Sequence, residues 1–164
     1  MKRLIAMCLG VLAVARVYGD AEEILKGFEG FRPSVYRCEA GKPTIGYGFT
    51  SEAMIRRGRI TEAEASAELK RICDGIRTKL RKELGEGNGL KPNEEAAVVS
   101  FIYNVGWANF KASTMCRLLK EGKRGSIVAS EFHRWVYVTK DGRKVVSKGL
   151  VNRRRAEARL FLVG

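Results

Sequence analysis

The segment that most limits the fold is residues 28–50, which read Phe-Glu-Gly-Phe-Arg-Pro-Ser-Val-Tyr-Arg-Cys-Glu-Ala-Gly-Lys-Pro-Thr-Ile-Gly-Tyr-Gly-Phe-Thr. Pro33 and Pro43 fix φ and remove backbone donors, and Gly30, Gly41, Gly46 and Gly48 weaken any helix, so this stretch must leave the helical state. Residues 34–37 and 43–48 read as short strands turned around Ala40-Gly41-Lys42. A two-stranded sheet of that size is not stable alone and must lean on helices.

Helical patterns lie on both sides. Upstream, Asp20 is a good N-cap with Glu23 at the capping-box position, and Ile24, Leu25 and Phe28 form an apolar stripe. Gly27 and Gly30 end that helix near Glu29. Downstream, Thr61 with Glu64 opens a helix reaching about Leu84, whose apolar face is Ala65, Leu69, Ile72, Ile76 and Leu80. A helix that long can tie two lobes together. After the glycine-rich loop 85–89, Pro92 and Asn93 open a helix that is apolar nearly all round, the mark of a central buried helix, and Gly106 ends it. Ser113 and Ser126 each start a further helix, the second running through Phe132 and Trp135. Residues 137–146 suggest a hairpin around Asp141-Gly142, and a last helix spans about 150–162.

The N-terminus is different in kind. Lys2 and Arg3 precede an apolar run from Leu4 to Ala15 that Arg16 interrupts. As a helix such a run spans roughly 18 Å, against the roughly 30 Å of a bilayer core, so it reads as an export signal ending near Gly19 rather than a permanent anchor. A buried N-terminal helix is the plainer alternative. The formal charge of +13 draws the chain to polyanions such as nucleic acid, anionic lipid or an acidic cell wall, without choosing among them. Cys8, Cys38, Cys73 and Cys116 match no zinc spacing and His133 is the single histidine, so neither a metal nor a cofactor is expected. Cys73 and Cys116 either pair or are buried thiols.

Three groups in the central segment carry chemistry. Glu29 and Cys38 are nine residues apart, and Cys38 and Thr44 six. A carboxyl group at a helix C-terminus faces the negative end of the helix dipole, which favours the protonated form that a proton donor needs. Glu39 is the nearest second carboxylate, but on an alternating strand it points away from Cys38.

This arrangement resembles the phage-type lysozymes, or endolysins, whose signature is Glu, eight residues, Asp or Cys, five residues, Thr. Tyr36-Arg37 and Thr44-Ile45-Gly46-Tyr47-Gly48 match its flanks, residues 100–106 (Ser-Phe-Ile-Tyr-Asn-Val-Gly) its core helix, and residues 149–157 (Gly-Leu-Val-Asn-Arg-Arg-Arg-Ala-Glu) its C-terminal motif. Phe49 departs from the pattern, since many members carry a histidine there; the change should touch stability rather than chemistry.

The resemblance implies an α+β fold with a small antiparallel β lobe (about 31–60), a connecting helix (61–84) and a larger helical lobe (85–164), after an N-terminal segment 1–19. It implies hydrolysis of the β-1,4 bond between N-acetylmuramic acid and N-acetylglucosamine in peptidoglycan, leading to host lysis by a monomer exported to the periplasm. A catalytically altered wall-binding protein and a basic nucleic-acid-binding module are the alternatives, although no nucleic-acid motif stands out. By the resemblance Glu29 is the acid, Thr44 positions water, Cys38 replaces the commoner aspartate, and Arg153 orients Glu29. A thiol, with a reference pKa of roughly 8.5, is a poorer acceptor than a carboxylate. Tyr36 and Tyr47 either line a sugar groove or pack, whereas Arg154 and Arg155 are expected on a solvated basic face. The signal-arrest-release members of the family tether transiently in the inner membrane, which makes Cys8 and Cys38 candidates for a thiol–disulfide switch.

Overall fold

The computed structural model describes residues 20–38, 41–85, 87, 89–140 and 142–163. Segment 1–19, read above as an export signal and holding Cys8, and Glu39 lie outside the described residues. The fold is α+β, with helices throughout and two two-stranded antiparallel sheets. The chain divides into two compact units, Glu22–Asp74 and Gly75–Gly164.

In the first unit, α1 (Ala21–Glu29) ends where expected, because Gly30 takes φ 65° and its N–H donates to the Lys26 carbonyl at 3.1 Å. β1 (Arg32–Arg37) pairs with β2 (Pro43–Gly46). Tyr36 stands opposite Thr44, and an irregularity separates that register from the Arg32–Gly46 pair. β2 is shorter than the sequence suggests. Gly46 adopts φ 66°, and the chain folds back so that Ile45 and Phe49 exchange backbone hydrogen bonds of 3.0 and 2.8 Å. A Cβ on Gly46 would lie 2.6 Å from the Phe49 ring, so the turn needs glycine twice over. Phe49 itself is buried, which accounts for an apolar residue at the position where the sequence departs from the family pattern.

A short helix, α2 (Glu52–Arg57), follows; its six residues show no apolar period by which it could be told from the chain around it. α3 (Glu62–Leu84) starts on the expected box. The Thr61 N–H donates to Glu64 Oε2 at 2.8 Å, and the Glu64 N–H to Thr61 Oγ1 at 3.2 Å. Its buried residues are Ala65, Leu69, Cys73 and Leu80, while Ile72 and Ile76 are only half-buried. Cys73 thus belongs to the stripe.

The second unit is built on α4 (Pro92–Val105), with Ala96–Ile102 buried without interruption. α5 (Trp107–Lys111), α6 (Thr114–Lys120), α7 (Ser126–Phe132) and α8 (Lys148–Leu162) follow, with a hairpin of β3 (Tyr137–Lys140) and β4 (Arg143–Val146) before α8. α4 packs chiefly on α8, which packs in turn on α7. Phe101 meets Phe132 and Trp135 edge-on at 5.3 and 5.5 Å, and Phe132 meets Phe161 at 5.9 Å. α8 begins two residues earlier than its apolar pattern, because Ser147 Oγ accepts from the Leu150 N–H. Asn93 Nδ2 donates to the Leu160 carbonyl at 2.9 Å and to that of Val163, fastening the end of α8 to the start of α4.

Two outcomes follow. Gly46→Ala should lower stability by ~2 kcal/mol or more, because it adds a strained φ to a steric overlap; urea denaturation reads it. Glu64 is held at about 2 by the Thr61 N–H, the Arg57 guanidinium and the Thr61 hydroxyl, in that order. A carboxylate depressed on folding adds stability above its unfolded value and loses it as pH falls through its folded one. The contribution should therefore fade between about 4.5 and about 2, and an NMR titration of Glu64 should move upward in Thr61→Ala.

Candidate active site

The site segment is a helix stop followed by a tight hairpin. Gly30 ends α1 directly after Glu29, which leaves that half-buried carboxyl at the helix terminus. The connection between β1 and β2 is closed by backbone bonds, Cys38 N–H to Lys42 O at 3.0 Å and Gly41 N–H to Cys38 O at 2.8 Å. Gly41 takes φ 73° there, and Arg37 Nη1 braces its carbonyl at 2.8 Å. Cys38 is a half-buried thiol. Thr44 is 3% exposed, and its hydroxyl donates to the Lys42 carbonyl at 3.0 Å.

Tyr36 is where these residues converge. It sits opposite Thr44 in the ladder, and opposed residues present their side chains on one face. Cys38, two residues on, continues the same alternation. Burial raises the Tyr36 phenol above its ordinary pKa, and the negative charge of Glu29 raises it further; Arg32 works against both, and Cys38 adds a smaller increase. The ring lies under the Arg32 guanidinium at 5.7 Å. Glu29, Arg32 and Cys38 thus all act electrostatically on Tyr36, which stands opposite Thr44, within the first unit.

Tyr47 is placed differently. It is buried, its ring packs on Phe31 at 5.6 Å, and its hydroxyl donates to Glu62 Oε1 at 3.0 Å. Burial chiefly raises its pKa. It supports the hairpin from within, while Tyr36 stays half-exposed.

In the second unit the C-terminal motif is a buried charge cluster. Glu157 Oε1 accepts from Ser100 Oγ at 2.7 Å, from Arg153 Nε at 3.1 Å and from Arg154 Nη2 at 3.1 Å. Arg154 Nε lies 2.8 Å from the other carboxylate oxygen. Arg153 also donates to the Ser100 carbonyl at 3.2 Å, and the Arg154 guanidinium stacks on Phe101 at 4.9 Å. Burial pushes the Glu157 pKa up, while Arg154, Arg153 and Ser100 pull it back. The expected solvated face is therefore corrected for Arg154, which is fully buried; only Arg155 is solvated. An arginine can enter a core where a carboxylate and an aromatic face both receive it.

Sequence reading missed Arg32 as the partner of Tyr36, and Ser100 with Glu157 as the holders of Arg153. The i,i+4 spacing of Arg153 and Glu157 was the available signal. Cys73 and Cys116 are buried thiols, not a disulfide. No cluster of three metal-ligating side chains occurs among the described residues.

Known proteins resemble this chain in sequence and fold. The phage lysozyme family model matches residues 26–157. An endolysin of Acyrthosiphon pisum secondary endosymbiont phage 1 is 31% identical over 138 residues, covering 84% of this chain and 92% of its own length. A SAR-endolysin of Bacteriophage PS119 is 30% identical over 160 residues, covering 94% and 89%. The solved endolysin from Escherichia coli O157:H7 phage FAHEc1 superposes with a TM-score of 0.75 at 30% identity, covering 90% of this chain and 94% of its own.

Deleting the anion of the buried cluster leaves two cations facing each other without a counter-charge. Glu157→Ala should therefore cost ~3–5 kcal/mol in urea denaturation, far more than the solvated Arg155→Ala.

Proposed function

The chain belongs to the phage lysozyme family, and from that premise we propose how its side chains divide the work. The protein is a glycoside hydrolase, an endolysin that hydrolyses the β-1,4 bond between N-acetylmuramic acid and N-acetylglucosamine in peptidoglycan. Membership disfavours both the nucleic-acid module and the wall-binding alternative.

Glu29 is the proton donor. It gives its proton to the glycosidic oxygen as the C–O bond breaks, while charge builds on the anomeric carbon. Thr44 and Cys38 hold the water that completes the reaction. The observation that carries this is the Thr44 hydroxyl: its proton is spent on the Lys42 carbonyl, so its oxygen is oriented to accept a hydrogen bond from water. Cys38 is half-buried and outside any disulfide in this structure, which leaves its sulfur able to contact that water. Tyr36 sets the face on which these groups meet, and Arg32 fixes its ring. Arg153 is locked within the second unit through Glu157 and Ser100.

The N-terminal segment and the similarity to SAR-endolysins support export with a transient membrane tether before release to the periplasm. Among the described residues no helix is long and apolar enough to cross a membrane. In the tethered form Cys38 is held in a disulfide. On release the Cys8 thiolate attacks the sulfur of the cysteine paired with Cys38, a new disulfide to Cys8 forms as the old one breaks, and Cys38 leaves as the free thiolate. Mass spectrometry of both forms reads the Cys38 linkage; a reduced Cys38 in each ends the switch.

Reducing-end release from purified peptidoglycan tests the assignments. Glu29→Gln should lose roughly 10²–10⁴-fold in rate with its unfolding midpoint unchanged. Thr44→Ala and Cys38→Ser should be slower than wild type, and Cys38→Asp active and insensitive to oxidants. Wild-type rates in Glu29→Gln would remove that carboxyl from the mechanism.

A further inference from the structure

The β3–β4 hairpin is the part of the second unit that the chemistry leaves unused. Every described residue of its strands is exposed, and the two strands pair only with each other. Tyr137 and Val146 are 57% and 56% exposed, and Val138 and Val145 38% and 39%. The ladder pairs Tyr137 with Val146, Val138 with Val145, Thr139 with Lys144 and Lys140 with Arg143. Side chains two apart share a face, so one face carries Val138, Val145, Lys140 and Arg143. The opposite face carries Tyr137, Val146, Thr139 and Lys144.

Two features of this register ask for an anion. Like charges directly opposed across a ladder destabilise it, and Lys140 opposite Arg143 is such a pair at the turn end of an already marginal hairpin. The neighbouring Lys144 adds a third cation, against the single carboxylate of Asp141 in the sequence of the segment. Several other surface cations have acidic neighbours: Arg56 bonds Glu52, Lys70 bonds Asp74, Arg71 bonds Glu68 and Arg117 bonds Glu121. The hairpin therefore presents its charge outward. Its apolar groups are split between two faces. A bilayer would cover one and leave the other in water, whereas a flexible acidic chain reaches the cations from either side.

Building on the muramidase reading, we propose that the β3–β4 hairpin is a docking surface for the acidic stem peptides of peptidoglycan, binding their carboxylates through Lys140, Arg143 and Lys144. Those peptides carry free carboxylates beside alanyl methyl groups, which suits cations flanked by exposed valines and a tyrosine. The hairpin then adds affinity for peptide-bearing wall and plays no part in bond cleavage.

The test compares sacculi with glycan strands stripped of peptide by an amidase, using the full chain. Lys140→Gln/Arg143→Gln/Lys144→Gln should raise KM on peptide-bearing wall about fivefold, the scale of a few exposed ion contacts, and flatten its salt dependence. Its kcat, and its kcat/KM on stripped glycan, should stay at wild-type values. A control, Lys79→Gln/Lys82→Gln/Lys123→Gln, removes equal charge from other exposed positions and should change neither. The proposal is overturned if the hairpin variant keeps wild-type KM on sacculi, if it loses equally on both substrates, or if the control matches it. It is overturned too if the variant instead loses binding to phosphatidylglycerol vesicles while its KM on sacculi is unchanged. Wild-type protein releasing no reducing ends from stripped glycan would refute the muramidase reading itself. Sedimentation with sacculi would still judge the hairpin in that case.

Discussion

The register that places Tyr36 opposite Thr44 is the constraint on which the site depends. It puts the buried threonine hydroxyl and the half-exposed phenol on one face, and it leaves Cys38 as the next group along. A slip of one residue would turn all of them to the other side. Little main-chain pairing is present to hold that register. The irregularity between Arg32 and Tyr36, the Gly41 turn and the Ile45–Phe49 exchange do so instead. Each is a glycine or bulge device, which is why the segment tolerates so little helical or strand regularity.

The second unit solves a different problem. It buries a carboxylate with two guanidinium groups, an arrangement whose desolvation cost is large and whose benefit is mostly geometric. An all-apolar cluster of the same volume could be at least as stable. What it could not do is fix the direction of a guanidinium. Arg153 has its Nε committed to Glu157 and one terminal nitrogen to the Ser100 carbonyl, so its plane is determined. Arg154 fills the remaining lobe of Glu157 and rests on Phe101, which couples the charge cluster to the aromatic core. A guanidinium held on two sides in this way presents one defined plane, and that geometric gain is what sets the cluster apart from an apolar core.

Much of this was legible from local chemistry. Helix starts at Thr61, Pro92 and Ser113 follow from caps and proline, and stops at Gly30 and Gly106 from positive φ. The misses share a cause, namely that tertiary contacts outweighed local pattern. α2 is too short to show a period, and α8 is extended by the Ser147 cap. Arg154 looked solvated because a run of three arginines usually is; only the neighbouring Glu157 and the distant Phe101 make its burial affordable. The candidate site residues come from spacing within one segment. Arg32 was missed because its partner, Tyr36, is recognised across the curvature of a bulged strand rather than by sequence separation.

Net charge is a poor guide to where such a protein holds its substrate. The value of +13 is spread over a surface on which many cations are answered locally, along α3 by Glu68 and Asp74 and along α6 by Glu121. Screening removes most of the long-range field within about 8 Å at physiological salt, so orientation at the wall is decided by cations without a nearby carboxylate. Distribution therefore matters more than total. A helix with i,i+4 pairs adds cations and anions in equal number and so little net charge, whereas a short ladder of opposed like charges adds net charge that its own strands leave unanswered. The same reasoning separates attraction from chemistry: the groups around Tyr36 act only over hydrogen-bond distances, and nothing in their arrangement depends on the overall charge.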